Sequence, residues 1–266
     1  MNMPIVPLIV ELDAEDLQCA TIFVDGFVEG KPYRFVLDTG ASRTQLVADR
    51  FLDTLESKGE HRSQGVFSQM SQRIVLLQDV SVGPLRGTSI EASVTSDSEE
   101  NVHSLLGMDL LRGHRLHFAF DREVLIVDEE PFGPDLRALE VDDRYHLYVE
   151  AQWPTTVASC VWDSGAGMTI INHEFWSKNK DLFSEVETSI GTDAAGIRGT
   201  STTYEMRSML IGGFQFAPHH VAVVDLSAAN STLARPMDII LGYPTLRQAN
   251  WFFDVPQRLW GISRFL

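Results

Sequence analysis

Apolar residues in this chain fall mostly into short runs or loose alternations, and few stretches carry the three-to-four-residue spacing of a helix. Residues 4–12 alternate loosely and predict a strand, one suited to the outside of a sheet because Pro4 and Pro7 cannot donate to a ladder. Residues 19–28 and 32–37 are rich in β-branched and aromatic side chains. With Glu29-Gly30-Lys31-Pro32 turning between them, they predict a hairpin. Further strands are expected at 74–82, 89–95, 116–127 (as one strand or a hairpin), 145–151, 156–162, 208–211 and 220–224. Phe51, Leu52 and Leu55 have helical spacing, which predicts a helix over 48–58 ending at Gly59. Short helices are expected over 108–112 and 173–180, the second with Asn172 as its N-cap. Strands dominate, so the expected class is mostly β.

The hairpin delivers an apolar run, Phe35-Val36-Leu37, into Asp38-Thr39-Gly40-Ala41. A strand that leaves the core in this way turns tightly through its glycine, with the small hydroxyl residue bonding locally and nothing large shielding the carboxylate. Alone this is a weak signal, because Asp-Thr-Gly after a strand is also an ordinary turn. A second copy follows at Cys160-Val161-Trp162-Asp163-Ser164-Gly165-Ala166. Asp38 to Phe51 lies on Asp163 to Trp176 without a gap, matching Thr39 with Ser164, Thr44 with Thr169 and Leu46 with Ile171. Leu105-Leu106-Gly107 and its following residues then match Ile240-Leu241-Gly242 and theirs, in the same order. Two ordered matches identify an internal duplication. Asp128 to Pro134, with two prolines, a glycine and a charge run, is the best linker. The expected organisation is a lobe at 1–128, a linker at 129–144 and a second lobe at 145–266.

Composition narrows the picture. A chain of 266 residues with 44% hydrophobic content can bury two modest cores. A formal charge of −16 argues against a nucleic-acid partner, since phosphate contacts need clustered Lys and Arg. Only two cysteines occur, Cys19 and Cys160, at non-equivalent places in the repeats, which suggests free thiols in a reducing compartment. No Lys or Arg precedes Lys31, and the apolar run from Ile5 to Val10 is short and interrupted by Pro7, which is not a secretory pattern. No stretch is long enough to span a bilayer, so the expectation is a cytoplasmic protein without a membrane partner.

The paired motifs, each followed by an apolar-apolar-Gly segment and a short helix, resemble the aspartic peptidases, a superfamily of two-lobed pepsin-like enzymes and dimeric retropepsins. The resemblance covers about Cys19 to Ile262. It implies two similar β-barrel lobes with the active-site cleft between them, and catalysis by Asp38 and Asp163. It implies further that Gly40 and Gly165 contact substrate through their backbone, that Thr39 and Ser164 interlock beneath the carboxylates, and that Gly107 and Gly242 support the two turns. Ala41 and Ala166 stand where pepsin-like enzymes usually have Ser or Thr, so in this detail the chain is more similar to a retropepsin, fused into one chain. One chain then holds both acids, and a monomer suffices.

The chemistry follows from the pair itself. Two carboxylates around one water cannot both ionise cheaply, so one stays ionised as general base while the other stays protonated and hydrogen-bonds the peptide carbonyl. No cofactor and no metal are required. The hydroxyls missing at Ala41 and Ala166 leave the carboxyl pKa values less depressed, which predicts a pH optimum that is not below about 3. Residues 60–73, with Gly65, Val66, Phe67 and Met70 at their centre, read either as a flap able to close on a substrate or as an ordinary exposed hairpin. Phe67 and Tyr204, the latter in the equivalent second hairpin, are the candidate substrate-binding side chains. The principal alternative is a non-catalytic peptide-binding module on the same fold, although both aspartates are present. A metal site built on His114, His117, His219 and His220 lacks companion ligands, and adjacent strand residues such as His219 and His220 point to opposite faces. Glycoside hydrolysis also uses two acids, but it does not explain why they sit in matching turns.

Overall fold

A computed structural model describes residues 4–64, 69–95, 102–131, 135–192 and 198–266. The protein is mostly β, arranged in three sheets. One ten-stranded sheet is built from the N-terminal half. From one edge, its strands run Ser57–Gln64, Gln69–Leu77, Ile90–Thr95, Gln45–Val47, Ser104–Leu106, Lys31–Leu37, Ala20–Val28, Val80–Val82 and Leu85–Gly87, with Ile9–Leu12 added beside Ala20–Val28. The other ten-stranded sheet repeats that order. It runs Phe183–Thr192, Arg198–Met206, His219–Val224, Thr169–Asn172, Ile239–Leu241, Thr156–Trp162, Leu147–Trp153, Met209–Ile211 and Phe214–Phe216, with Glu140–Val141 beside Leu147–Trp153.

A six-stranded sheet joins the halves. Arg115–Ala119 pairs antiparallel with Ala249–Asp254, and Ile5–Pro7 forms one edge beside Val124–Val127. The linker region contributes Arg137–Ala138 to the other edge of this sheet, against Leu259–Phe265. The middle of the sheet carries Phe118, Trp251 and Phe253, all fully buried. Trp162, the residue before Asp163, packs on them with ring centroids 4.5 Å from Phe118 and 4.9 Å from Phe253. Rings packed at steep angles in this way bury large areas and fix one another's orientation. The second acidic turn therefore rises from an aromatic floor shared by both halves.

Two local expectations are corrected. Instead of a helix over 48–58 there is a single 3-10 turn, Leu52–Thr54, and a strand that begins at Ser57. Asp49 Oδ1 accepts the Leu52 N–H at 2.7 Å, and the Arg73 guanidinium donates to Leu52 O at 2.9 Å and Leu55 O at 3.3 Å. The carbonyls that would extend a helix are bonded to arginine, and only Leu52 of the apolar stripe is fully buried. The helix after Asn172 spans His173–Lys178 and is followed by a separate 3-10 turn, Lys180–Leu182. Asn172 occupies the cap position without capping, because its side-chain oxygen accepts the Leu226 N–H at 3.3 Å.

Cys19 and Cys160 are free and buried. Burial pushes both thiols up, Cys19 to about 12, so both stay protonated at neutral pH. Among the described residues no helix is long and apolar enough to cross a membrane.

Candidate active site

Buried strands carry each acidic turn to the place where the halves meet. Phe35, Val36 and Leu37 lead into Asp38, and Cys160, Val161 and Trp162 lead into Asp163. Beside them run Ser104–Leu106 and Ile239–Leu241, each parallel to its neighbour. Leu106 O accepts the Asp38 N–H at 3.0 Å, and Leu241 O accepts the Asp163 N–H at 3.1 Å. The chain then passes through Gly107 and Gly242, after which the Met108 and Tyr243 N–H groups donate to Ala41 O and Ala166 O at 2.8 and 2.9 Å. A Cβ on Gly107 would lie 2.7 Å from Arg43 O, and one on Gly242 would lie 2.6 Å from Ala166 O. Backbone approaches backbone here at a distance that only glycine permits.

Thr39 and Ser164 lock the turns together. The Thr39 hydroxyl donates to Trp162 O at 3.1 Å, and the Ser164 hydroxyl donates to Leu37 O at 2.7 Å. In return, the Ser164 N–H donates to Thr39 Oγ1 at 3.0 Å and the Thr39 N–H to Ser164 Oγ at 3.2 Å. Both side chains are buried, so every one of these polar groups depends on a partner from the other half.

This lock presses each carboxylate against the opposite glycine. A Cβ on Gly40 would stand 2.6 Å from the Asp163 carboxyl carbon, and one on Gly165 would stand 2.6 Å from Asp38 Oδ1. Asp38 Oδ1 accepts the N–H groups of Gly40 and Ala41, both at 2.9 Å. Asp163 Oδ1 accepts those of Gly165 at 2.8 Å and Gly40 at 3.1 Å. Asp38 is 7% exposed and Asp163 is more open. Burial, and then the charge of Asp163, push Asp38 well above the ordinary carboxylate value, against the pull of the two N–H groups. Burial also pushes Asp163 up, opposed by the Gly165 N–H and by the charge of His146. Two neighbouring acids with raised values can share one proton between them.

Supporting side chains were missed in the sequence. Thr44 Oγ1 accepts the Gly107 N–H at 3.2 Å, and Thr169 Oγ1 accepts the Gly242 N–H at 3.1 Å. The signal was present, because the two threonines match in the repeat alignment. Behind them the halves diverge. Thr44 donates to Asp109 Oδ1 at 2.7 Å, whereas Thr169 donates to Thr245, which donates to His219 Nε2 at 2.8 Å. His219 Nδ1 faces Ala217 O at 2.9 Å and must carry the ring proton, since a carbonyl only accepts. Burial holds His219 neutral, pushed down to about 4 from its ordinary 6.5. A lowered histidine value gives stability that is present above the unfolded value and lost as pH falls through the folded one. The unfolding free energy is therefore expected to drop by up to about 3 kcal/mol between pH 6.5 and 4, since each tenfold change in proton affinity is worth about 1.4 kcal/mol. Chemical denaturation across that range should show a smaller drop in His219→Gln.

Of the remaining candidates, Phe67 lies outside the described residues. Tyr204 is partly buried, and its ring packs on Trp176 with centroids 5.5 Å apart; among the described residues its contacts do not bring it to the carboxylates. His219 is buried while His220 faces outward to Asp16, 2.6 Å from its Oδ2. Among the described residues no group of three or more His, Cys, Asp or Glu is placed to hold a metal.

Fold and site together define a mostly β protein in which two Asp-hydroxyl-Gly turns meet as a carboxylate pair. Residues 24–110 match the family model described as aspartyl protease, which supports an aspartic peptidase family for this chain. The matched stretch holds Asp38, Gly40 and Gly107 and ends before Asp163. No curated protein matches the chain.

Proposed function

We propose that the chain is an aspartic endopeptidase of two duplicated lobes, 1–128 and 145–266, whose Asp38 and Asp163 activate one water between them. The observation that carries this reading is the reciprocal seating of each carboxylate on the other turn's glycine. The ionised carboxylate takes a proton from the water as it attacks the peptide carbonyl carbon. The protonated one donates to the carbonyl oxygen as that oxygen becomes tetrahedral. Collapse of the intermediate returns the carbonyl, breaks the C–N bond and passes a proton to the departing amine. The identical strand order of the two large sheets supports the duplication, and the presence of both acids in one chain supports a monomer as the active unit. A polypeptide substrate is implied by the family match, and an extended segment suits a cleft between β lobes because it can pair as an added strand.

The test is cleavage of a denatured protein or mixed peptide library from pH 3 to 8 by wild-type protein. Cleavage with an optimum above about 3 is expected, because both carboxyl values are raised from an ordinary one near 4. Folded protein that binds peptides but cleaves none at any pH would instead favour a binding module on this fold.

A further inference from the structure

The turn at Asp142–Tyr145 leads into Leu147–Trp153, whose first residue pairs with Trp162, the residue before Asp163. Leu147 pairs with Trp162 in the antiparallel ladder, so His146 lies one step on, opposite Asp163. Residues opposed in this way present their side chains on the same face. In the first half Phe23 pairs with Val36, and the register carried two steps further sets Thr21 opposite Asp38. His146 is thus the next residue across from Asp163 beyond the end of its ladder, and Thr21 holds the corresponding place relative to Asp38.

His146 is firmly held. Asp142 Oδ2 is 2.7 Å from its Nδ1, while Asp142 Oδ1 accepts the His146 N–H at 2.9 Å and the Arg144 N–H at 3.0 Å. The two side chains are only 12% and 6% exposed. Between them Tyr145 has a φ of 66°, a conformation that persists in a bulky residue only where its surroundings over-determine it. The Arg112 guanidinium covers the Tyr145 ring, 4.6 Å from the centroid. The other charged and titratable groups around the imidazole are Asp143 and Arg144 in the same turn, Tyr148, Arg235 and Asp163. The Tyr148 ring lies edge-on at 6.4 Å, and its hydroxyl donates to Arg235 O at 2.8 Å. Arg235 stacks on the outer side of Tyr148, 5.2 Å from its centroid, and Arg144 is turned away to Thr232. Burial pushes Asp142 up, but the hydrogen bonds and charge of His146 outweigh it, so Asp142 stays below the ordinary carboxylate range.

We propose that His146, held by Asp142, is a positioning residue that keeps the shared proton on Asp38 and leaves Asp163 as the ionised base. Its consequence for rate rests on the peptidase reading; the placement of the proton is a property of the folded protein alone. A protonated imidazole next to Asp163 favours its carboxylate, and an uncharged side chain in that place lets Asp163 protonate at higher pH.

The experiment follows the side-chain carboxyl 13C shifts of Asp38 and Asp163 from pH 3 to 8, with kcat/KM for a peptide recorded over the same range. In wild type, Asp163 ionises before Asp38. In His146→Gln the lower titration moves up by about one pH unit, and the acidic limb of kcat/KM moves with it. His146→Lys, which keeps a charge, restores the wild-type limb. Asp38 ionising first in wild type, or an unmoved carboxyl titration in folded His146→Gln, overturns the proposal. A titration that shifts as described in protein that cleaves nothing upholds the proton placement and removes the peptidase reading instead.

Discussion

Asp38→Asn and Asp163→Asn each lower kcat by about 10³-fold or more, while leaving a protein that melts at or above the wild-type temperature at pH 7. On the peptidase reading, the loss follows from removing either the base or the acid of a two-proton exchange, a role whose removal is commonly worth about 10²–10⁴ by itself. The two effects are not additive, because each acid needs the other, so the double variant is expected to be no slower than either single one. The stability gain has a separate cause. Both carboxyl values are raised in the folded protein, so the pair favours folding at low pH and opposes it as pH rises through the raised values. An amide at either position removes that opposition at neutral pH. Steady-state rates and thermal melts on the same preparations check both halves of the expectation. A variant that loses activity only because it unfolds would melt lower.

Thr39→Val is expected to destabilise the protein by about 2–6 kcal/mol, at about 1–3 kcal/mol for each buried group left without a partner. The isosteric methyl keeps the volume but strands Trp162 O and the Ser164 N–H, both of which Thr39 Oγ1 serves. Ser164→Ala similarly strands Leu37 O and the Thr39 N–H. Because the two side chains belong to one network, the double variant should cost less than the sum of the singles. Urea denaturation of the three variants measures this. Activity should fall too, since the lock sets the distance between the carboxylates.

The site was legible in the sequence because its chemistry is local and occurs twice. An apolar strand, a carboxylate, a small hydroxyl and a glycine are contiguous at Asp38 and again at Asp163, and the supporting glycines follow each copy in order. The two hairpins were legible for the same reason. What escaped depended on partners distant in sequence. The pairing of Arg115–Ala119 with Ala249–Asp254 has no local mark, and neither does the edge role of Arg137–Ala138. The helical spacing at Phe51, Leu52 and Leu55 misled because Arg73, far along the chain, captures the carbonyls a helix would need. His146 looked ordinary because only the ladder register sets it against Asp163.

The lock beneath the carboxylates joins hydroxyls 125 residues apart, and the sheet that braces it is closed by strands reaching to Phe265. Neither half of the chain alone contains the pair. As the polypeptide emerges during synthesis, the first acidic turn is complete long before its counterpart exists, and the bracing sheet closes last. A chain interrupted before Asp163 carries only one of the two acids. On the peptidase reading, the two acids meet only after strands from both halves have paired, so folding across the chain itself gates the chemistry.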